Sequence, residues 1–176
     1  MRYLCGTKEL PLILSADSTN IVKWWVDGSY GIHPDARRQT GGTASLGRGS
    51  FISTSIKQRL NTRSSTETEL VAADDMMPHL FWTSYFLECQ GYNINSTIMY
   101  QDNQSTILLE NNGRASSSKR TKHLNIRYFF ITDRIKKGDF HIGYCLTNNM
   151  VADLFAKPLQ GKKFLRFRKV IMNLQD

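Results

Sequence analysis

Short runs of apolar, β-branched and aromatic residues occupy much of the first half of the chain, and they predict strands. Residues 21–26 form such a run, which stops at Asp27-Gly28-Ser29, as a buried strand followed by a turn does. Residues 40–45 and 50–57 alternate apolar residues with Gly, Ser and Thr around Gly47-Arg48-Gly49, which predicts two antiparallel strands joined by a tight turn. Further strands are expected at 10–14, 96–101 and 139–146.

From residue 65 the apolar positions recur at the spacing of a helix. The run starts at Ser65 or Thr66, either of which is a suitable N-cap, and ends at Gly91. Pro78 lies inside this run, and since an interior proline costs about 3 kcal/mol, we expect a bend or two separate helices. Further helices are expected at 103–111, 123–136, 148–156 and 161–174. This order of elements predicts an α/β fold in which helices flank a mixed sheet.

A strong excess of basic residues indicates an acidic polymer as the partner. The 176 residues include 23 Lys and Arg against 15 Asp and Glu, a formal charge of +8, and nucleic acid is the polyanion that this favours. The hydrophobic content of 40% fits one folded domain. No apolar run approaches the ~18 residues of a membrane span, and no secretory signal is expected. Three widely spaced cysteines predict reduced core thiols of an intracellular protein.

Four acidic residues stand at the edges of predicted strands and helices: Asp27, Glu69, Asp102 and Asp153. Carboxylates in such positions of a cationic protein predict ligands for a hard metal ion that meets a polyanion. Nucleic-acid hydrolysis by bound magnesium requires that pairing. The alternative for each residue is an ordinary helix cap or surface carboxylate. The acidic pair Asp74-Asp75, in the middle of the long helix, is expected on its solvated face.

The order of these acids, separated by 42, 33 and 51 residues, resembles that of the ribonuclease H fold. Surrounding motifs are similar to the ribonuclease H region of copia-type long-terminal-repeat retrotransposon polyproteins, namely residues 64–69 (SSTETE), 120–128 (RTKHLNIRY) and 152–159 (ADLFAKPL). The resemblance implies a ribonuclease H-like fold with a mixed five-stranded sheet flanked by helices. It divides the chain into a tail of the adjoining reverse transcriptase at 1–20, a ribonuclease H-like domain at 21–160 and a basic C-terminal helix or tail at 161–176.

The family resemblance also implies two magnesium ions, with manganese as a possible substitute, acting on the scissile phosphate. Asp27 is then expected to bridge both ions. Glu69 and Asp102 are expected to hold the ion on the leaving-group side, and Asp153 the ion on the nucleophile side. Many cellular ribonucleases H carry a histidine in the loop before the last aspartate, but residues 146–150 contain none, which argues against fast turnover.

Polar and basic residues beside these acids are expected to contact the substrate. Ser29, Asn103 and Gln104 carry groups that suit recognition of the ribose 2′-hydroxyl, although Ser and Asn also favour turns and helix caps. Two basic segments, 114–137 with eight Lys and Arg and 157–169 with six, are expected to track phosphates. The substrate-binding residues expected around the 120–128 motif are Arg120, Lys122, His123 and Arg127, with a structural role at a helix end as the alternative for His123.

The resulting hypothesis is a magnesium-dependent endonuclease that cuts the RNA strand of RNA–DNA hybrids during retrotransposon reverse transcription. Its expected partners are the hybrid and the reverse-transcriptase region of the same polyprotein, with no membrane. Its expected location is intracellular, in a cytoplasmic virus-like particle or the nucleus. Two alternatives stay open: an inactive hybrid-binding remnant of a polyprotein, and an integrase-like DNA nuclease of the same fold.

Overall fold

A mixed five-stranded sheet lies at the centre of the computed structural model, which describes residues 2–29, 37–112 and 125–175. The strands are β1 (Ser15–Ala16), β2 (Ile21–Ser29), β3 (Gln39–Ser45), β4 (Gly47–Arg48), β5 (Ile52–Lys57), β6 (Ser96–Gln101) and β7 (His141–Tyr144). The helices are α1 (Arg2–Gly6), α2 (Ser65–Cys89), α3 (Gln104–Asn112), α4 (Asn125–Lys136), α5 (Asp153–Ala156) and α6 (Gly161–Met172), with a 3-10 turn at Thr147–Asn149.

The strand β2 is the middle strand of this sheet, whose order is β5-β3-β2-β6-β7. It pairs antiparallel with β3 on one side and parallel with β6 on the other, while β5 joins β3 antiparallel and β7 joins β6 parallel. The strands β1 and β4 form a separate two-stranded sheet. Because β2, β6 and β7 are parallel, their carboxyl ends meet at one edge of the sheet, where α/β proteins place their sites.

The long helix α2 packs against β2 through the main apolar core. Val22, Trp24 and Val26 alternate along β2 and are fully buried, as are Leu70 and Leu80 of α2. Burying a side chain of this kind contributes about 1.5–3 kcal/mol. Repeated along the helix, this contact fixes the position of its first turns relative to the end of β2.

Two glycines bring helices close to the end of β2. A Cβ atom on Gly28 would lie 2.8 Å from the carbonyl oxygen of Thr68, so the first turns of α2 touch the strand backbone. Gly41 of β3 stands opposite Asp27 in the antiparallel register, and a Cβ there would lie 2.5 Å from the carbonyl oxygen of Ala152. Paired residues of neighbouring strands project from the same face, so the helix α5 approaches the face that carries Asp27.

The N-cap of α2 lies one residue before the predicted caps, and the helix is not divided. Ser64 is its N-cap and accepts a hydrogen bond from the Glu67 backbone N–H at 3.2 Å. Glu67 in turn accepts one from the Arg63 N–H at 2.7 Å, which ties the residue before the cap to the first turn of the helix. Pro78 lies inside one continuous helix, so the expectation of two helices is wrong. Burial of the neighbouring Met76, Met77 and Leu80 outweighs the proline's cost of about 3 kcal/mol.

Other expectations about the ends of the chain are also corrected. Residues 10–14 form no strand; instead, the Ile13 N–H donates to the Met172 carbonyl at 3.1 Å, which ties this segment to the end of α6. The predicted helix at 148–156 is limited to α5 because a 3-10 turn precedes it. All three cysteines are free, but Cys5 and Cys89 are exposed and Cys145 is partly exposed, so the prediction of core thiols is wrong.

The two chain ends pack against each other. The rings of Tyr3 and Phe164 meet edge to face at 5.8 Å between centroids, and Phe167 of α6 is buried. The predicted division at residues 20 and 160 stays a prediction. Within the described ranges, no helix is both long and apolar enough to cross a membrane.

A candidate metal centre at the end of the sheet

Three carboxylates meet at the carboxyl end of β2. The parallel register pairs Trp25 with Tyr100, so two residues further along each strand Asp27 and Asp102 come side by side. Glu69 reaches them from the second turn of α2, where its Oε2 accepts a hydrogen bond from the Gly28 backbone N–H at 3.0 Å. One carboxylate oxygen from each of the three acids lies within 4.8 Å of the other two. Such a group of hard oxygen donors can hold one divalent cation.

Burial makes this group costly to ionise without a cation. Burial raises the pKa of Asp27 to about 6, with Lys157 opposing and the Asp153 carboxylate reinforcing the rise. Burial, together with the nearby charges of Asp27 and Asp102, raises the pKa of Glu69 well above its usual value. The buried Asp27 Oδ2 receives no hydrogen bond from the described residues. A divalent ion would supply that oxygen with a partner and offset the repulsion, so the three residues fit magnesium.

The fourth acid, Asp153, reaches the group through a lysine. Its Oδ1 accepts a hydrogen bond from Lys157 Nζ at 2.6 Å, and the same nitrogen donates to Asp27 Oδ1 at 3.2 Å. Its Oδ2 accepts from Lys163 Nζ. Although burial opposes ionisation, the two lysines hold the pKa of Asp153 below its usual value. Burial likewise disfavours the charged Lys157, but Asp27 and Asp153 outweigh it and raise its pKa.

Lys157 and Lys163 are the site residues that sequence reasoning missed. They belong to the basic segment 157–169, which the sequence assigned to phosphate contacts as a whole. A pattern that pointed to Lys157 was available, because it follows Asp153 by four residues and such residues are neighbours on a helix. Nothing comparable in the sequence links Asp27 to Lys157, since the meeting of these two residues depends on the packing of α5 against the sheet.

The polar residues beside the acids serve the local fold. Asn103 Oδ1 accepts hydrogen bonds from the backbone N–H groups of Ser105 and Thr106 at 3.1 and 3.2 Å. Asn103 therefore caps the start of α3, which is the alternative role that the sequence offered for it. Ser29 is buried, with 1% of its surface exposed, and its hydroxyl donates to the Gln39 carbonyl at 3.5 Å. Gln104 is exposed at the start of α3. Contact of these three residues with a ribose hydroxyl stays a prediction.

Arg127 contacts acids on α2. Its guanidinium donates to Asp74 Oδ2 and lies 4.0 Å from Asp75 Oδ1, and the two aspartates are partly buried, which differs from the solvated face expected for them. Whether Arg127 also contacts phosphate stays a prediction. Arg120, Lys122 and His123 lie outside the described residues.

Curated proteins similar to this chain are retrotransposon polyproteins, whereas no protein-family model matches it. The Pol polyprotein from transposon TNT 1-94 of Nicotiana tabacum is 30% identical over 165 residues, which is 93% of this chain and 12% of that polyprotein. The Pol polyprotein from transposon RE2 of Arabidopsis thaliana is 28% identical over 97% of this chain and 12% of its own length. A Ty1 Gag-Pol polyprotein of Saccharomyces cerevisiae is 27% identical over 93% and 10%, respectively. The chain thus spans about a tenth of the length of these relatives.

Solved structures similar to this chain include RNase H1 proteins and a viral protease-reverse transcriptase. RNase H1 of Halobacterium salinarum superposes with a TM-score of 0.50 at 16% identity, covering 77% of this chain and 94% of that one. LC11-RNase H1 in complex with an RNA/DNA hybrid gives 0.51 at 11% identity, covering 76% and 92%. A prototype foamy virus protease-reverse transcriptase gives 0.54 at 13% identity, covering 87% and 22%. The predicted fold and the predicted resemblance to retrotransposon polyproteins are therefore confirmed.

Proposed function

We propose that this chain, which has the ribonuclease H fold and whose relatives are retrotransposon Pol polyproteins, is a metal-dependent endonuclease. Its proposed substrate is the RNA strand of RNA–DNA hybrids formed during reverse transcription. The observation that carries the proposal is the meeting of Asp27, Glu69 and Asp102, whose oxygens lie within 4.8 Å of one another. A formal charge of +8 supports a polyanionic substrate, since phosphate contacts dominate the affinity of nucleic-acid-binding proteins.

The four acids have distinct proposed roles. When bound, magnesium ions provide an activated water and stabilise the charge that develops on the leaving oxygen. Asp27, Glu69 and Asp102 would hold the ion on the leaving-group side, and Asp27 and Asp153 the ion on the nucleophile side. The Gly28 N–H holds one oxygen of Glu69 in place, so this carboxylate needs little reorganisation to serve as a ligand.

Proton loss from the acids is part of metal binding. A carboxylate must be ionised to serve as a ligand, and binding of a metal therefore releases protons. Since burial raises the pKa of Asp27 to about 6 and also raises that of Glu69, we expect metal affinity to increase with pH as these two carboxyl groups lose their protons. This fits a hydrolase that works near neutrality.

The proposed partner within the polyprotein is the reverse-transcriptase region, which would produce the hybrid. A solved structure with a similar fold, a foamy virus protease-reverse transcriptase, matches this chain over 22% of its own length. We propose a corresponding arrangement for the polyprotein to which this segment is related.

Cleavage of a panel of duplexes tests the proposal. The purified chain is incubated with Mg²⁺ and an RNA–DNA hybrid labelled on either strand, with duplex RNA or with duplex DNA, and each reaction is repeated with a chelator. We expect metal-dependent cutting of the RNA strand of the hybrid alone. Binding of the hybrid without cleavage would support an inactive remnant, and cutting of duplex DNA would support the integrase-like alternative.

A further inference from the structure

An ammonium group occupies the place between two carboxylates that are proposed to share a metal ion. Lys157 Nζ lies 2.6 Å from Asp153 Oδ1 and 3.1 Å from Asp27 Oδ2. Both carboxylates are almost fully buried, with 1% of each side chain exposed. The contact with Asp153 has the length of a strong, charge-assisted hydrogen bond. The contact with Asp27 Oδ2 is an ion pair without a hydrogen bond, and the ammonium donates instead to Asp27 Oδ1 at 3.2 Å. Lys157 therefore neutralises, at this position, part of the charge that a second divalent ion would meet.

We propose that the Lys157 ammonium, through its ion pairs with Asp27 and Asp153, makes the affinities of the two metal sites unequal. This proposal rests on the proposed function. In the metal-free protein its ammonium holds Asp153 beside Asp27. A first divalent ion binds at Asp27, Glu69 and Asp102, and among these three acids the ion pair of Lys157 is with Asp27. A second ion binds only when Lys157 leaves Asp153.

The size of a metal coordination shell supports this competition. Magnesium binds oxygen at 2.0–2.1 Å and demands near-octahedral geometry, so an ion that joins Asp27 to Asp153 excludes an ammonium placed between the same oxygens. Lys163 adds to the barrier because it donates to the second oxygen of Asp153. Asp153 thus has both oxygens committed to lysines before any second ion arrives.

The lysine side chain also has room to move. Its own surface is 37% exposed, in contrast to the two acids that it joins, and only its end is held by them. Its backbone is fixed, since the Lys157 N–H donates to the Asp153 carbonyl at 2.9 Å at the end of α5. A phosphate of a bound nucleic acid would offer the displaced ammonium another anion. We therefore expect a nucleic-acid substrate to favour binding of the second ion.

Titration with Mn²⁺ in the absence of nucleic acid tests directly whether the two metal sites differ in affinity. Mn²⁺ is titrated into the full chain, and the free ion is measured by electron paramagnetic resonance. We expect one ion to bind the wild type at least tenfold more tightly than the second. Lys157→Met should tighten the second ion about tenfold, whereas Lys157→Arg should keep the wild-type pattern. Two ions of equal affinity in the wild type, or no tightening in a folded Lys157→Met protein, would overturn the proposal.

Two further variants make the test independent of folding and of overall charge. Within the described part of the chain, Lys163 forms an ion pair with Asp153 and none with Asp27, so Lys163→Met should tighten binding of the second ion and leave the first unchanged. Lys137 forms the same kind of pair, four residues after Asp133 and at 2.7 Å, on an exposed surface. Lys137→Met should therefore change neither ion, and an effect equal to that of Lys157→Met would overturn the proposal.

The Mn²⁺ titration, combined with the cleavage assay, also distinguishes a failure of this proposal from a failure of the proposed function. A chain that shows one tight and one weak ion but cuts no hybrid would contradict the nuclease and support the role of Lys157. A chain that cuts hybrids but binds two equal ions would contradict the role of Lys157 alone.

Discussion

The backbone N–H of Gly28 donates a hydrogen bond to Glu69 Oε2 at 3.0 Å, across 41 residues of sequence. This bond joins the end of β2 to the start of α2 and holds the Glu69 carboxylate next to Asp27. The absence of a side chain on Gly28 permits the contact, because a Cβ there would lie 2.8 Å from the Thr68 carbonyl oxygen. The geometry of the candidate metal centre thus depends on one backbone contact as well as on its acids.

Gly28→Ala should therefore damage both the stability and the metal site. Forcing α2 away from β2 is an overpacking change, which costs about 1–3 kcal/mol, and it shifts Glu69 away from the other acids. Urea unfolding and a magnesium titration by calorimetry measure the two effects. Gly6→Ala is the matched control, since nothing lies within 4 Å of a Cβ at Gly6. Equal behaviour of the two variants would contradict the close contact.

Metal affinity should fall as the solution becomes acidic. Because burial raises the pKa of Asp27 to about 6, this carboxyl is mostly protonated at pH 5 and must lose its proton before it binds an ion. Each pH unit below that pKa should weaken binding about tenfold, and Glu69, whose pKa is also raised, adds to the dependence. Calorimetric titration with Mg²⁺ at pH 5.0 and 7.5 measures this, and equal affinities would contradict the account of the site.

Glu110 should destabilise the fold as the pH rises. It is completely buried, and burial raises its pKa well above the usual value, while the side chain of Gln101 opposes the rise. The folded state therefore holds this proton more tightly than the unfolded state. The contribution of protonated Glu110 to stability is complete below the pKa that this carboxyl has in the unfolded chain. It is lost as the pH rises through the higher pKa that the carboxyl has in the folded state.

Glu110→Gln should remove that loss, making the protein more stable than the wild type at pH 8 by about 1–3 kcal/mol. The difference should shrink at pH 5. Chemical unfolding at both pH values measures it, with the exposed Glu88→Gln as the control. A Glu110→Gln protein that is less stable than the wild type at pH 8 would contradict this prediction, because it would show that a nearby positive charge stabilises the ionised Glu110.

Sequence patterns predicted the framework of the site but not its electrostatics. The run 21–26 and the helical spacing after residue 65 predicted β2 and α2, because an apolar β-branched run favours a strand and apolar residues at helical spacing favour a helix. The prediction that the strand stops at Asp27 is wrong, since β2 continues to Ser29. The meeting of Asp27 with Asp102 depends on the parallel pairing of β2 with β6, which the sequence did not predict. That Lys157 would lie between Asp27 and Asp153 depends on how α5 packs on β3 at Gly41, and periodicity carries no information about such a contact.

Errors in the predicted elements have physical causes of the same kind. Pro78 does not divide α2 because tertiary burial of its neighbours outweighs the local penalty. Residues 10–14 look like a strand because they are apolar, but Pro11 has no backbone N–H to donate, and the segment bonds to the end of α6 through Ile13. Local propensity is a weak guide wherever distant segments determine the contacts.

Cleavage of a labelled RNA–DNA hybrid by the wild type beside Asp102→Asn tests the central claim most directly. Asp133→Asn, which alters an exposed aspartate on α4, serves as the control. If the three-acid group holds a catalytic ion, the wild type and the control cut the RNA strand at similar rates. Asp102→Asn should be slower by about 100-fold or more, a loss of ~2.7 kcal/mol in transition-state stabilisation. Equal rates for wild type and Asp102→Asn would contradict the assignment of the metal centre.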